Sequence, residues 1–254
     1  MTLLLSTVLA HAQQVEFKPF AIPTEGRIVV PCTENEAPTG IALDIDQRVN
    51  GALRTAMLEA DFECEAQSSL TLYAVSPYAR IDLIGLGDKP TDRNHAENAG
   101  GLAAKLLADT RQGSIRVLWK LGNSDESATA ARFAFGYLLR SYRFDRYQED
   151  KIDPAELPAL EMLTNDGSGR SFSTDLAHLA EGVFFARNMS SEPANLMYPQ
   201  AFVDHVRAKF KNMKVKLHVL DEKDLQAEKM GAHWGVGKGS ARPPRLLIIE
   251  YMGK

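Results

Sequence analysis

The sequence predicts an α/β protein built in three layers, and three observations carry that reading. From Val15 onward, short apolar runs alternate with longer segments whose apolar residues recur at helical spacing. Turn residues such as Pro23-Thr24-Glu25-Gly26 and Gly85-Leu86-Gly87-Asp88 separate them. The last run, Arg245 to Tyr251, is apolar nearly throughout, the pattern of a central strand covered on both faces. Such a sequence of elements places helices on both sides of a mostly parallel sheet.

In order, Val15 to Ile22 and Gly26 to Cys32 read as strands. A helix from Asp46 to Ala60 follows, with Val49, Ala52, Leu53, Ala56, Met57 and Ala60 on its apolar face. Leu70 to Val75 and Ile81 to Leu86 are the next strands. A helix over Asn94 to Thr110 buries Ala99, Leu102, Ala103, Leu106 and Leu107. Ile115 to Leu118 is a strand, and Asp125 to Tyr142 is a helix turning Ala131, Phe135, Leu138, Leu139 and Tyr142 inward. The polar stretch from Asp150 to Pro158 and the loop Asn165 to Gly169 flank a short strand at Leu160 to Thr164. Beyond a boundary near residue 170, Ser173 or Thr174 caps a connecting helix over Asp175 to Asn188. Pro199 opens a helix to Lys211 that buries Phe202, Val206 and Phe210. Val215 to Leu220 is a strand, and Asp221 caps the helix after it.

Composition excludes several classes. With 254 residues, 44% of them apolar, the chain has ample material for a packed core. A net charge of -4 and a pI near 5.9 give no basic field for nucleic acid or an anionic membrane. Cys32 and Cys64 are too few for a disulfide framework or a thiolate metal site, and they read as two reduced, partly buried thiols. Leu3 to Ala10 followed by Ala10-His11-Ala12 resembles the end of an export signal. It has no Lys or Arg ahead of it and is too short to span a bilayer, so the expectation is a cytoplasmic protein with export as the alternative.

Isolated motifs fail on inspection. Gly237-Lys238 is no phosphate loop, because position 232 is Ala and Gly239 replaces the hydroxyl residue. Gly85-Leu86-Gly87 has Pro90 where a dinucleotide fingerprint needs its third glycine. His95-Ala96-Glu97 copies half of a zinc deaminase motif without the cysteine pair. Asn188-Met189-Ser190 is formally a glycosylation sequon. The histidines at 11, 95, 178, 205, 218 and 233 have no metal-ligand spacing; His205 and His218 read as partly buried and satisfied.

A longer pattern is specific. The segments Asn188-Met189-Ser190-Ser191-Glu192-Pro193-Ala194-Asn195 with Pro199, Leu220-Asp221-Glu222-Lys223-Asp224-Leu225, Met230-Gly231, Gly235 to Ser240 and Arg242-Pro243-Pro244-Arg245-Leu246 occur in one order and spacing. Upstream, Ile84-Gly85-Leu86-Gly87, Ala99-Gly100-Gly101 and Tyr142 to Tyr147 extend the pattern. Together they resemble the leucyl aminopeptidases of the cytosolic M17 family. The resemblance implies a macrodomain-like three-layer α/β domain over residues 15–170, a linker helix over 171–190 and an incomplete α/β peptidase domain over 191–254. It also implies hexameric assembly and, in the complete enzyme, two divalent metal ions, Zn or Mn, activating water against the N-terminal peptide bond of a peptide substrate.

The family's metal ligands, a Lys and several Asp and Glu, follow the strand that corresponds to Leu246 to Tyr251. Lys238 aligns with an earlier turn, and Thr164 to Arg170 only faintly echoes the family's later metal motif, so no catalytic, metal or cofactor-binding residue is assigned. The expectation is the front portion of an aminopeptidase, inactive alone. Two other classes stay open: a stand-alone macrodomain-like module holding a nucleotide near Gly85 to Asp88, and a non-catalytic oligomerisation or regulatory subunit.

Overall fold

The computed structural model describes residues 14–108, 114–122, 125–149, 157, 159–164 and 167–253. The signal-like run lies outside them, as do most of the polar stretch after Glu149 and the pair at 165–166. The chain divides into two compact units, residues 1–185 and 186–254.

Unit 1 begins with β1 (Val15–Pro19), β2 (Gly26–Cys32), α1 (Gly40–Arg48) and α2 (Ala52–Glu59). It continues through β3 (Ser69–Val75), β4 (Tyr78–Gly85), α3 (Arg93–Leu106), β5 (Ile115–Leu118), α4 (Glu126–Ser141) and β6 (Leu160–Thr164). A short helix α5 (Ser168–Ser171) and a π-helical turn (Phe172–Leu176) lead into α6 (Ala177–Ser191). The connecting helix thus starts before the expected cap: Ser173 and Thr174 lie inside the helical run, donating to the Arg170 carbonyl.

Among the described residues of unit 1 the strands form one sheet in the order β1-β6-β5-β2-β4-β3. All neighbours are parallel except β3, which runs antiparallel on β4. Side chains along β2 point alternately to opposite faces. Val29 enters one core with Ile84, Val117, Met162 and the α3–α4 residues. Ile28 and Val30 enter the other with Ile81, Leu83 and the α1–α2 residues Ile45, Leu53 and Met57. Two cores on two faces of one sheet make the predicted three layers.

The single helix expected over Asp46 to Ala60 is two. Asn50 and Gly51 both take positive φ, 54° and 83°, which breaks the helical path. Buried Asp46 near the end of α1 bridges the break: its Oδ1 accepts from the backbone N–H of Arg54 at 3.0 Å in the first turn of α2.

α3 and α4 meet backbone to backbone. A Cβ on Gly100 would lie 1.9 Å from the Phe133 carbonyl oxygen, and one on Gly136 would lie 1.9 Å from that of Glu97. Alanines at 96, 99, 103, 130, 131 and 134, all fully buried, surround the crossing.

The cysteines are not the separate thiols expected from their number. Cys32 at the end of β2 and Cys64 in the loop after α2 form a disulfide, with Cα atoms 5.7 Å apart. Both are buried, and the sheet brings them together across 32 residues of sequence. Closing a loop of that size stabilises a fold by about 3 to 4 kcal/mol on the chain-entropy account.

On the outer strands, Glu161 of β6 receives Lys18 Nζ at 2.7 Å and Arg116 Nε at 3.3 Å. Burial works against the charged carboxylate, but the hydrogen bonds from Lys18 and Ser114 and the charges of Lys18 and Arg116 hold its pKa below the usual range. A depressed carboxylate contributes stability above its unfolded value, near pH 4.3, and loses it as pH falls through the folded value. Glu161→Gln is therefore expected to lower stability at pH 7 by about 1 kcal/mol. In urea titrations the gap from the parent should close as pH approaches 3; a gap that persists there would assign the loss to packing instead. Gly136→Ala is expected to cost about 3 kcal/mol by the same measurement, because helix backbone cannot yield to the added methyl as a flexible side chain could.

Candidate functional site

Two places deserve comparison with known chemistry, one in each unit. In unit 1, open α/β sheets place ligand crevices at the carboxyl ends of neighbouring strands whose connections leave to opposite faces. β2 and β4 meet that condition: α1 belongs to one core and α3 to the other. The crevice between them is filled by the chain itself. The loop at residues 61–68 crosses it, with Gly85 N–H donating to the Ser68 carbonyl at 3.0 Å and Gly87 N–H to the Cys64 carbonyl at 3.1 Å. Asn35 N–H donates to the Glu63 carbonyl at 2.8 Å, and Glu34 N–H to that of Gly87 at 3.1 Å. A Cβ on Gly85 would collide with the carbonyl oxygens of Glu65 and Cys64, so this glycine makes room for the loop, not for a ligand. Glu34, Glu36, Glu63, Glu65 and Asp88 are exposed around it, a field that repels phosphate.

The neighbouring His95-Ala96-Glu97 is structural. Asp92 caps α3, accepting from the N–H groups of Asn94 at 2.7 Å and His95 at 3.3 Å, bonds that hold its carboxyl below the ordinary range. His95 Nδ1 donates to the Leu86 carbonyl at 2.9 Å, and Glu97 pairs with Arg132 at 3.3 Å. Neither is arranged to bind metal.

Unit 2 carries α7 (Pro199–Phe210), β7 (Lys216–Leu220), α8 (Glu222–Ala227), α9 (Gly231–Gly237) and β8 (Leu246–Glu250). Proline sits at the start of α7, where its missing N–H costs nothing. The buried positions of α7 are Val203 and Val206; Val206 is inward as expected, whereas Phe202, expected inward, is 41% exposed and its neighbour Val203 takes the buried position. Asp221 and Asp224 form a capping box on α8, and the N–H groups of Asp224 and Lys223 hold the Asp221 carboxyl low. β7 and β8 pair antiparallel as a two-stranded sheet. The β8 run read as covered on both faces leaves Ile248 and Ile249 nearly half exposed within this unit. His218 is also at the surface, donating Nε2 to Glu250 at 3.1 Å, and His205 is exposed.

The arginine-proline turn ahead of β8 is the best-held part of the unit. The Arg242 guanidinium lies 4.2 Å over the Tyr198 ring, and its Nη1 donates to the carbonyls of Ala194 at 2.9 Å and Asn195 at 3.0 Å. Arg245 Nε donates to Gln200 Oε1 at 2.9 Å, and His233 Nε2 donates to the Arg245 carbonyl at 3.2 Å. Gly237 lies against Pro244, whose ring would clash with any Cβ there. Lys238 is exposed at the end of α9.

The described residues do not fit a pair of divalent cations. Among the described residues no group of three or more His, Cys, Asp or Glu is placed to hold a metal ion. Three acids of unit 2 are engaged otherwise: Asp221 and Asp224 in capping, Glu250 with Lys216 and His218. In the segment echoing the family's metal motif, Thr164 Oγ1 and Ser168 Oγ are hydrogen bonded to each other at 3.1 Å, and residues 165 and 166 lie outside the described residues.

The chain thus has a six-stranded α/β unit and a second unit that carries an arginine-held turn. Its fold is similar to a tomato leucine aminopeptidase variant, with TM-score 0.80 and 22% identity over 96% of this chain and 52% of that one. It is also similar to the bottromycin maturation enzyme BotP in complex with Mn, with TM-score 0.65 and 20% identity over 89% and 45%. Sequence makes the relation specific. Residues 29–151 match the cytosol aminopeptidase family, N-terminal domain, and residues 184–254 match the catalytic domain of the same family. A probable cytosol aminopeptidase of Rhizobium etli is 35% identical over 213 residues, 80% of this chain and 42% of that protein. One of Methylorubrum populi is 33% identical over 253 residues, 96% and 50%. The chain belongs to the cytosol aminopeptidase family, and it spans about half the length of the curated relatives it matches.

The turn held by Arg242 gives a direct test. Arg242→Ala is expected to lower the stability of residues 186–254 by about 1 to 2 kcal/mol. It should also speed amide exchange across residues 193–198, whereas Arg242→Lys recovers only part, lacking the planar stack on Tyr198. Unchanged exchange in the alanine variant would show that the loop is held by other contacts.

Proposed function

We propose that this chain supplies the N-terminal domain and the opening segment of the catalytic domain of a leucyl aminopeptidase-like metallo-exopeptidase, one that removes N-terminal residues from peptides. On this reading the chain alone is inactive, and the metal-binding and catalytic groups belong to the half of the relatives that it does not span. The observation that carries the reading is the ordered match of both family domains together with the absence, among the described residues, of any side-chain group fit for a metal ion. Cytosolic residence and a homo-oligomer, the hexamer the resemblance implies, belong to the same proposal. Among the described residues no helix is long and apolar enough to cross a membrane. The nucleotide-module reading is disfavoured because the β2–β4 crevice is filled by the loop at residues 61–68 and ringed by carboxylates.

The purified 254-residue chain should release no product from leucine anilide or leucine amide with added Mn²⁺ or Zn²⁺. Metal-dependent turnover that co-elutes with the chain at its own mass, free of any longer homologue, would overturn the proposal.

A further inference from the structure

We infer that Cys32–Cys64 is a redox-responsive latch, and that its oxidation state sets whether the loop at residues 61–68 closes the crevice between β2 and β4. The loop's position rests on few anchors. Of its eight residues only Phe62 and Cys64 are buried; Asp61, Glu63, Glu65, Ala66 and Gln67 are exposed. Asp61, Cys64 and Gln67 take positive φ of 49°, 63° and 64°, a conformation that side chains other than glycine adopt at a cost. A segment bent this way and mostly in water has a low local opening free energy unless something ties it down.

The ties are the disulfide, the Phe62 side chain, the N–H groups of Asp61 and Phe62 donated back to α2 at Leu58 and Met57, and three hydrogen bonds received from outside the loop. Asn35, Gly85 and Gly87 donate their N–H groups to the carbonyls of Glu63, Ser68 and Cys64. Cys64 supplies two of the ties: its sulfur bonds to the end of β2, and its carbonyl accepts from Gly87 N–H just beyond β4. β5 and β6 keep a ladder of their own, and their residues Val117 and Met162 lie in the α3–α4 core on the face away from the disulfide, although Leu118 and Leu163 share the core that holds Cys32 and Cys64.

The chemical step is thiol–disulfide exchange with a dithiol reductant. A reductant thiolate attacks one cysteine sulfur, the S–S bond breaks, and a mixed disulfide forms while the other cysteine leaves as thiolate. The reductant's second thiolate then displaces the remaining cysteine. Two electrons and two protons pass to the protein pair, and the reductant departs as its own disulfide. Both cysteine sulfurs sit in buried residues, so exchange proceeds through opening of the loop. Once reduced, nothing covalent restores it, and the N–H groups of Asn35, Gly85 and Gly87 face water at a strand-end crevice.

Hydrogen exchange on the full chain, oxidised and after treatment with dithiothreitol, tests the latch. Amides of Asn35, Gly85 and Gly87 should exchange at least tenfold faster after reduction, while those of Val117 and Met162 keep their rates. Cys64→Ser should show the fast pattern with or without reductant. Equal rates in both states at the three crevice amides would overturn the inference. So would simultaneous loss of protection at Val117 and Met162, since the bond would then staple the whole unit. Alkylation of two free thiols in protein never exposed to reductant would also sink it. Each outcome is independent of peptidase activity.

Discussion

The backbone contact of α3 with α4 at Gly100 and Gly136 is the constraint on which unit 1 depends. Each glycine faces a carbonyl of the opposite helix at a distance that no Cβ could tolerate. The contact is reciprocal, and it draws in a layer of buried alanines on both helices. Those two helices carry the chain from β4 across β2 to β5, and from β5 to β6. Their depth therefore fixes how the crossover lies on the sheet. Because the helices approach so closely, the volume over the sheet is filled by a few large side chains, Trp119, Phe133 and Tyr137 among them. Trp119 and Phe133 meet as a tilted ring pair 5.1 Å apart. Small residues at the crossing and large ones at the sheet are two consequences of one spacing.

The opposite face is built differently. α1 and α2 are short and separated by two left-handed residues, and the loop after α2 is pinned to the end of β2 by the disulfide. Hydrogen bonds that an open sheet would leave for a ligand at β2 and β4 are satisfied by the chain's own backbone. Gly85 is required there by a carbonyl oxygen of the loop. A glycine at a strand end is often taken as room for phosphate, but here the physical reason is self-packing, and the surrounding carboxylates agree with it.

In unit 2 the residues that mark the family are those that shape a turn. Arg242 spends its guanidinium on two backbone carbonyls and an aromatic face, and Gly237 admits the ring of Pro244. Such residues are fixed by geometry and would be retained whether or not chemistry happened nearby. A family can therefore be named from this segment although no ligand set is assembled in it.

This distinction explains what could be read from the sequence. Strands β2, β5 and β6 were legible to the residue, because apolar runs between turn residues leave little choice of register. The break between α1 and α2 is hidden in the sequence, since a stripe at helical spacing persists from Asp46 to Ala60 through Asn50-Gly51 and only the positive φ values reveal it. On α7 the inward position of Val206 is legible and that of Phe202 is not: Val203 fits the same helical spacing to Val206, and it is Val203 that the structure buries. The disulfide was not legible: two cysteines 32 residues apart carry no sign of proximity until β2 and the α2 loop are placed in space. Pairing of that kind depends on tertiary distance, as does the filled crevice beside it. Local pattern decides which elements form, whereas the occupancy of a strand-end crevice is decided by chain that is remote in sequence. Part of unit 1 that looked most like a ligand site was therefore the part that its sequence described least.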